Sequence, residues 1–178
     1  MPTIYCVPLD GFPVSTMADL ARIITRQFQR QVIILPELNT TSSAYDPARG
    51  QHNSTAILQM LAPLADNDLD RVLGVTTADL FIPIFTYLFG EAQLDGPAAV
   101  VSGMRLQNQF YGLASEAALY NERLQKECLH ELGHTFGLRH CITPGCVMLK
   151  STYVENIDLK SADFCSNCST SMGALENQ

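Results

Sequence analysis

The segment from His130 to His140 constrains the fold more than any other part of the sequence, and it reads His-Glu-Leu-Gly-His-Thr-Phe-Gly-Leu-Arg-His. His130 and His134 are four positions apart, so on an α-helix their imidazoles lie on one face, about one turn from each other. Gly137 tolerates a positive φ, at which a helix ends and the chain reverses direction. The segment therefore predicts a helix that ends near Gly137 and a turn that brings His140 beside the first two histidines.

Three converging imidazoles favour a catalytic zinc site. His130 and His134 can take neighbouring positions on a tetrahedral Zn²⁺, with His140 as the third ligand, which leaves the fourth position to water. Glu131 adjoins the first ligand and can reach that water without binding the metal, so it is predicted to be catalytic, as the general base. A surface helix that carries histidines by coincidence is the alternative, but three of the four histidines in the chain fall in this pattern. The fourth, His52, lies in a polar loop and is interpreted as a solvated side chain.

Strands and helices are predicted to alternate before this segment. Apolar runs bounded by turn-forming residues predict strands at Thr3–Val7, Gln31–Leu35, Arg71–Thr76, Thr86–Gln93 and Ala98–Met104. Apolar residues at helical spacing predict helices at 16–28 (capped by Thr16), from residue 53 or 54 to 64, and at 114–138. The Asp95-Gly96 dipeptide is typical of a hairpin turn between the last two strands. This order predicts a mixed α/β (α+β) fold with a helix-covered mixed sheet, and the chain after Gly137 is expected to be irregular.

The length of 178 residues favours one catalytic domain spanning 1–178. Within it, residues 1–137 are predicted to form an N-terminal subdomain with the sheet and the active-site helix, and 138–178 a C-terminal subdomain. The net charge of −7 argues against nucleic acid or an anionic membrane as a partner. The opening residues lack the basic segment of a secretory signal, so the protein is expected to be cytoplasmic, where thiols stay reduced. A monomer is the default expectation.

Four of the six cysteines form two close pairs near the end of the chain: Cys141 and Cys146, then Cys165 and Cys168. Their Cys-x4-Cys and Cys-x2-Cys spacings are near those of structural zinc sites, in which short loops let two sulfurs converge. Two disulfides or an iron–sulfur cluster are the alternatives, and a reducing compartment disfavours the disulfides. The spacing therefore favours one structural zinc with four thiolate ligands. Cys6 and Cys128 stand apart from these pairs and are interpreted as buried packing residues.

The histidine segment is followed by Cys141-x4-Cys146-x-Met148 and by Phe164-Cys165-x2-Cys168. Together they resemble the archaemetzincins, a family of metzincin zinc peptidases. The resemblance implies a zincin fold, with a twisted five-stranded mixed sheet, an antiparallel edge strand, an active-site helix and a small zinc-bound C-terminal part. It also implies that Met148 forms the methionine turn below the catalytic metal. In that family the four cysteines bind a second metal, which implies two Zn²⁺ per chain.

The resulting hypothesis is zinc-dependent hydrolysis of peptide bonds in a peptide or protein substrate. A zinc-bound water would attack the scissile carbonyl while Glu131 accepts a proton and later passes it to the leaving amine. The substrate is expected to lie extended and antiparallel to the Thr86–Gln93 strand. The alternatives are a zinc-binding scaffold or interaction protein without turnover, and hydrolysis of a non-peptide amide. Glu131 argues against a scaffold, since binding the metal does not require that carboxylate.

Overall fold

The computed structural model describes residues 2–175, so the predicted domain ends at residues 1 and 178 lie outside it. Its strands are β1 (Thr3–Pro8), β2 (Gln31–Ile34), β3 (Tyr45–Asp46), β4 (Gln51–Asn53), β5 (Arg71–Thr76), β6 (Leu80–Ile82), β7 (Phe85–Leu88), β8 (Gly90–Ala92) and β9 (Ala98–Ser102). Its α-helices are α1 (Val14–Phe28), α2 (Thr41–Ala44), α3 (Ser54–Leu61), α4 (Ala117–Thr135), α5 (Val154–Leu159) and α6 (Ser166–Leu175).

A five-stranded mixed sheet lies at the centre of the fold, in the order β2-β1-β5-β9-β8. The first four of these strands are parallel to their neighbours, and β8 runs antiparallel to β9. The turn between β8 and β9 uses Asp95 at a positive φ of 53°, and the Gly96 amide donates to the carbonyl of Gln93. The predicted five-stranded mixed sheet with an antiparallel edge strand is confirmed, and so is the turn at Asp95-Gly96.

The predicted strand Thr86–Gln93 is wrong as a single element. Its first part is β7, the terminal strand of a separate four-stranded sheet in the order β3-β4-β6-β7, and its second part is β8. The two parts meet at Phe89, which is 6% exposed and packs in the main core. The apolar alternation through this region continues across the change of sheet, so the sequence pattern alone does not reveal it.

Helices cover both faces of the central sheet. On one face, α1 and α4 share a hydrophobic cluster with alternate strand residues such as Cys6 and Val101. On the other face, α3 packs with the intervening residues, such as Val7 and Val100. Cys6 and Cys128 are fully buried in the first cluster, so their interpretation as packing residues is confirmed.

The start of α1 departs from the prediction, whereas the start of α3 agrees with it. Helix α1 begins at Val14 with Pro13 as its N-cap, so Thr16 is not the cap. Pro13 already holds an extended φ and ψ, and its fixed φ sets the entry to the first turn. Helix α3 is capped by Asn53, whose side-chain oxygen accepts a hydrogen bond from the amide of Ala56. Asn53 is one of the two caps predicted for this helix.

The C-terminal part is less irregular than predicted, because it contains α5 and α6. Short polar helices of this kind lack the apolar periodicity from which helices are predicted. Met148 and Phe164 belong to the same hydrophobic cluster as α1 and α4, so the core continues across Gly137. The division into subdomains at residues 137 and 138 stays a prediction. Within residues 2–175, no helix has the length and apolar character needed to cross a membrane.

Candidate active site

His130 and His134 lie on the last turns of α4, with their Nε2 atoms 3.1 Å apart. The Nδ1 of His130 lies 2.8 Å from the carbonyl of Val147, and the Nδ1 of His134 lies 2.7 Å from the carbonyl of Leu138. A carbonyl oxygen can only accept, so both Nδ1 atoms carry the proton. Both Nε2 atoms therefore present a lone pair to the same point, as ligating histidines do.

The turn after α4 brings the third histidine to the first two. Gly137 has a φ of 82°, and the Leu138 amide donates back to Gly133. His140 then lies with its ring centre 5.3 Å from that of His130 and 5.0 Å from that of His134. The sequence prediction that Gly137 ends the helix and returns His140 to the site is confirmed as geometry.

The three histidines fit a Zn²⁺ ion. One nitrogen from each lies within 4.8 Å of those from the other two, a separation that a single ion can bridge. Burial lowers the pKa of all three imidazoles, most strongly for His130, so they are uncharged near neutral pH. Neutral imidazole is the form that binds zinc, so burial and hydrogen bonding both favour the ligand state.

Glu131 lies on α4 beside these histidines and faces the same cleft, with 6% of its surface exposed. Burial raises its pKa well above the usual range, and the charge of Glu127 adds to the rise. The backbone of Gly90 in β8 approaches this carboxyl closely: a Cβ at residue 90 would lie 2.7 Å from Cγ and 2.9 Å from Oε1 of Glu131. Glycine at this position therefore leaves the room that the Glu131 side chain occupies.

The histidines and Glu131 open into a cleft of about 670 Å³. One side of its lining comes from β7 and β8 and is mainly apolar and aromatic. The remainder comes from α4 and from the chain after it, including Arg139, Lys150 and Ser151. β7 and β8 are both terminal strands of their sheets, so two strand edges run along this cleft.

Met148 supports α4 from below, where the resemblance places a methionine turn. It is fully buried, and a Cβ at Gly133 would lie 2.5 Å from its sulfur. Gly133 is the residue between Leu132 and His134 in the histidine segment. Glycine at this position lets the thioether pack directly against the backbone of the helix that carries the histidines.

The four cysteines predicted to bind a second metal also converge, with sulfur atoms within 4.8 Å of one another. All four are free thiols, and the pairs Cys141–Cys165 and Cys146–Cys168 lie 3.8 Å apart at sulfur, well beyond a disulfide bond. Hydrogen bonds lower the pKa of Cys141 and lower that of Cys165 to about 6, whereas burial raises the pKa of Cys146 and Cys168. Four converging sulfurs, two of which ionise readily, fit a tetrahedral Zn²⁺.

A buried ion pair joins the two parts of the chain beneath the histidines. Lys160 follows α5 and has a fully buried side chain, with Nζ 2.8 Å from Oε1 of Glu127 on α4. The same Nζ donates to the carbonyl of Leu149, next to Met148, at 3.3 Å. Neither Lys160 nor Gly90 was predicted from the sequence as a functional residue. Asp158 and Asp163 are near Lys160 in sequence, so the sequence gives no signal that its partner lies on a distant helix instead.

His52 is the one histidine outside the site in residues 2–175, and its interpretation as solvated is wrong. It lies on β4 with 9% of its surface exposed and packs against the ring of Tyr45. The polar sequence around it suggested a loop, but β4 is held between β3 and β6 in the four-stranded sheet. Because β4 pairs with strands on both sides, the His52 side chain is buried, although the polar residues around it in sequence favour an exposed loop.

Comparisons with known proteins agree with this geometry. The family model described as "Peptidase family M54" matches residues 16–174. The chain is 37% identical over 167 residues to an archaemetzincin of Archaeoglobus fulgidus, an overlap that covers 94% of this chain and 96% of the relative.

Solved structures show the same fold. The archaemetzincin of Methanopyrus kandleri superposes with a TM-score of 0.83 at 33% identity, over 99% of this chain and 96% of that one. A zinc-dependent peptidase of Methanocorpusculum labreanum gives a TM-score of 0.80 at 28% identity, over 95% of this chain and 99% of that one. The similarity therefore extends through the sheets, α4 and the C-terminal part.

Proposed function

This chain belongs to peptidase family M54 and is a zinc metallopeptidase, and we propose that His130, His134 and His140 hold its catalytic zinc while Glu131 acts as its general base. The observation that supports this assignment best is that the three histidines and the Glu131 carboxyl lie in one cleft. Three neutral imidazoles direct their nitrogens to one point, and the Glu131 carboxyl opens into the same space. The alternative function, a zinc-binding scaffold without turnover, would not require a buried carboxyl group at this position.

When bound, the Zn²⁺ supplies Lewis-acid chemistry, polarising the scissile carbonyl and making a water more acidic. Glu131 accepts the proton of that water on a carboxylate oxygen and then donates it to the departing amine nitrogen. Its raised pKa suits the second step, because the carboxyl group, once protonated, holds the proton until the amine takes it. His130 and His134 keep their orientation through the Nδ1 hydrogen bonds to the backbone.

The substrate backbone is proposed to lie extended along the strand edges of the cleft. β8 is the antiparallel edge of the central sheet, and β7 is the edge of the second sheet. A peptide can add to such an edge through main-chain hydrogen bonds. The break between the two strands at Phe89 means that pairing is expected along β7 or β8 separately and not along one continuous strand.

A second Zn²⁺ is proposed at Cys141, Cys146, Cys165 and Cys168, which makes two per chain. Four thiolates fill a tetrahedral shell and leave no position for water, so this metal has a structural role. Free thiols in this arrangement also suit the reducing compartment, the cytoplasm, that the sequence predicts.

Replacing Glu131 with glutamine tests the catalytic assignment. Glutamine keeps the size and polarity of the side chain but cannot accept the proton, so cleavage should fall by about 10²–10⁴-fold or more. The zinc content of the purified variant should match that of the wild type, because the ligands are unchanged. Activity would be measured as zinc-dependent cleavage of a mixed peptide library, with simple non-peptide amides assayed in parallel.

Glu116→Gln is the matched control, since Glu116 is exposed at the start of α4 and lies outside the cleft lining. This variant should cleave peptides like the wild type. Normal turnover by Glu131→Gln would refute the general-base role. Bound zinc without cleavage of any peptide by the wild type would favour the scaffold.

A further inference from the structure

The charge of the cleft differs from that of the whole chain. The chain carries 18 acidic and 11 basic residues. Among the residues that line the cleft, however, the carboxyl groups of Glu127 and Glu131 are buried, and Glu127 is already paired with Lys160. The exposed charged side chains of the lining are Arg139 and Lys150, both cationic.

Arg139 and Lys150 lie near His140, one of the three clustered histidines, on two adjacent segments of the chain. Arg139 immediately precedes His140, and a bridge between Cys141 and Leu149 holds its segment beside the one that carries Lys150. Lys150 is close enough to His140 for its charge to help lower the pKa of that imidazole. Across the residues that the structure describes, neither cation has an ion-pair or side-chain hydrogen-bond partner.

Two unpaired cations at the mouth of a cleft in an acidic protein are suited to bind an anionic group of the substrate. The guanidinium of Arg139 can bind a carboxylate with two parallel hydrogen bonds, and Lys150 adds a second positive charge. The apolar lining from β7, including the exposed Phe85, favours apolar side chains elsewhere on the same peptide.

Resting on the proposed function, we propose that Arg139 and Lys150 are specificity-determining residues that select peptides bearing a carboxylate within a few residues of the scissile bond. The carboxylate can be an aspartate or glutamate side chain, or the free C-terminus of a short peptide. In both cases the cations hold an anion beside the zinc ligands, and the apolar lining takes the neighbouring side chains.

The test starts from a peptide that the zinc-replete wild-type chain cleaves. Each position within about three residues of the cleaved bond is changed in turn to Glu, Gln or Lys, with both peptide ends blocked, and one further Gln peptide keeps a free C-terminus. An exposed charge pair contributes roughly up to 5-fold, and the carboxylate would meet two cations, so kcat/KM for the best carboxylate peptide should exceed that of its neutral match by about 5- to 20-fold. Salt should shrink this ratio, because the charges are exposed.

The variant Arg139→Gln/Lys150→Gln should bring the ratio to within about 2-fold of unity. Arg26→Gln is the matched control, because Arg26 is exposed on α1 outside the cleft and its loss changes the net charge in the same sense. It should keep the wild-type ratio. The dissociation constants of the same peptides on the Glu131→Gln variant give a readout without turnover, and they should rank the peptides in the same order.

The blocked Glu peptides and the free-ended Gln peptide separate the two sources of the carboxylate, and an advantage in either arm supports the proposal. Equal cleavage of carboxylate and neutral peptides would overturn it while leaving the peptidase function intact. A preference that survives in the double variant would overturn the assignment to Arg139 and Lys150. Failure of the wild type to cleave any peptide would instead count against the proposed function itself.

Discussion

The histidine cluster and the cysteine cluster are assembled in different ways. Two of the three histidines lie on α4, whose inward residues are fully buried, and their second nitrogens are hydrogen-bonded to the backbone. Of the four cysteines, Cys168 alone lies within a helix, and Cys141, Cys146 and Cys165 lie on irregular chain. From this comparison we infer that packing positions the histidine cluster before any metal binds, whereas the cysteine cluster would depend on the proposed second zinc to hold its chain in place.

The two clusters are nevertheless connected. His140 and Cys141 are adjacent in sequence, so one peptide unit joins a proposed ligand of each metal. The Cys141 amide also donates to the carbonyl of Met148, which supports α4 at Gly133. Loss of order in the cysteine cluster should therefore reach the histidines, while changes at the histidines should leave the cysteine cluster largely intact.

The largest expected effect comes from the double variant Cys165→Ser/Cys168→Ser. Zinc binding at structural sites contributes on the order of 10 kcal/mol, so its loss should lower the free energy of unfolding by several kcal/mol, at about 2–4 °C of Tm per kcal/mol. Segment 141–168 should become protease-sensitive and exchange its amides faster. The affinity for the catalytic zinc should also fall, although no histidine has changed.

The control is Ser169→Ala/Thr170→Ala, which changes two exposed residues on the same helix and should have no such effect. Metal analysis should find two zinc ions in the wild type under reducing, zinc-replete conditions, and one or fewer in the cysteine variant. One zinc in the wild type, or unchanged catalytic-zinc affinity in the variant, would break the proposed connection.

Lys160→Met should have the next largest effect. The change leaves the carboxyl of Glu127 buried without its partner, which typically costs about 3–5 kcal/mol, and it removes the bond that ties Lys160 to Leu149. Urea unfolding of the zinc-replete chain measures this loss. If the pair joins the cysteine-bearing part to α4, segment 141–168 should also exchange its amides faster in this variant.

Lys150→Met is the matched control for that variant, since Lys150 is exposed and unpaired within the described chain. Its effect on stability should stay within about 0.5 kcal/mol. Lys160→Met/Glu127→Leu should recover a large part of the lost stability, because both charges are then absent from the interior. If the double variant were no more stable than Lys160→Met, the contribution of Lys160 to stability would not come from its ion pair with Glu127.

The difference between the clusters also explains what could be predicted from the sequence. The histidine spacing and Gly137 dictate local backbone geometry, so the helix end and the return of His140 were predictable. The cysteines were predictable as two close pairs, since short spacings let two sulfurs converge, and the family resemblance implied that the two pairs share one metal. Gly90 and Lys160 were not, because their roles come from contacts with α4 that are distant in sequence.

The second sheet was missed for a related reason. Its strands have two to four residues, which is too short for an alternating pattern to be recognised. β7 follows β6 so closely that the apolar segment reads as one run into β8. The antiparallel edge of the central sheet, by contrast, came with the Asp95-Gly96 turn, a signal strong enough to place β8 beside β9.

Gly90→Ala should have a smaller effect that is confined to the histidine cluster. The added Cβ would lie 2.7 Å from Cγ of Glu131 and 2.8 Å from the carbonyl of Val100, so the carboxyl or the strand must shift. Overpacking of this kind costs about 1–3 kcal/mol, and a displaced general base should lower kcat by roughly 10- to 100-fold. Zinc content and the exchange of segment 141–168 should stay as in the wild type.

Gly173→Ala serves as the matched control, because a Cβ there meets no atom within 4 Å. It should leave kcat unchanged and should raise stability by at most about 1 kcal/mol, because alanine favours a helix more than glycine does. Normal kcat in Gly90→Ala would show that the space at residue 90 has no bearing on Glu131. Loss of order in segment 141–168 would show that the histidine cluster controls the cysteine cluster, the reverse of the dependence inferred above.

The smallest expected effect is the pH dependence of the metal-free chain, and it tests directly whether the histidine cluster forms without metal. If it does, burial lowers the pKa of His130 in the folded state below its unfolded value of 6.5, so the unfolded chain binds protons first as the pH falls. The stability that His130 contributes is then fully present above pH 6.5 and is lost on acidification.

Glu131 acts in the opposite sense: its folded pKa is raised above 4.5, so the stability that it contributes is present below pH 4.5 and is lost as the pH rises. In the wild type, these two contributions oppose each other between pH 5 and 7. In His130→Gln the rise of Tm with pH over this range should therefore be shallower than in the wild type, and in Glu131→Gln it should be steeper, by about 2–5 °C in each case. Both variants keep Cys165, whose lowered pKa of about 6 then contributes equally to all three chains. Three parallel curves would mean that the histidines are solvated without metal, and that both clusters depend on zinc for their assembly.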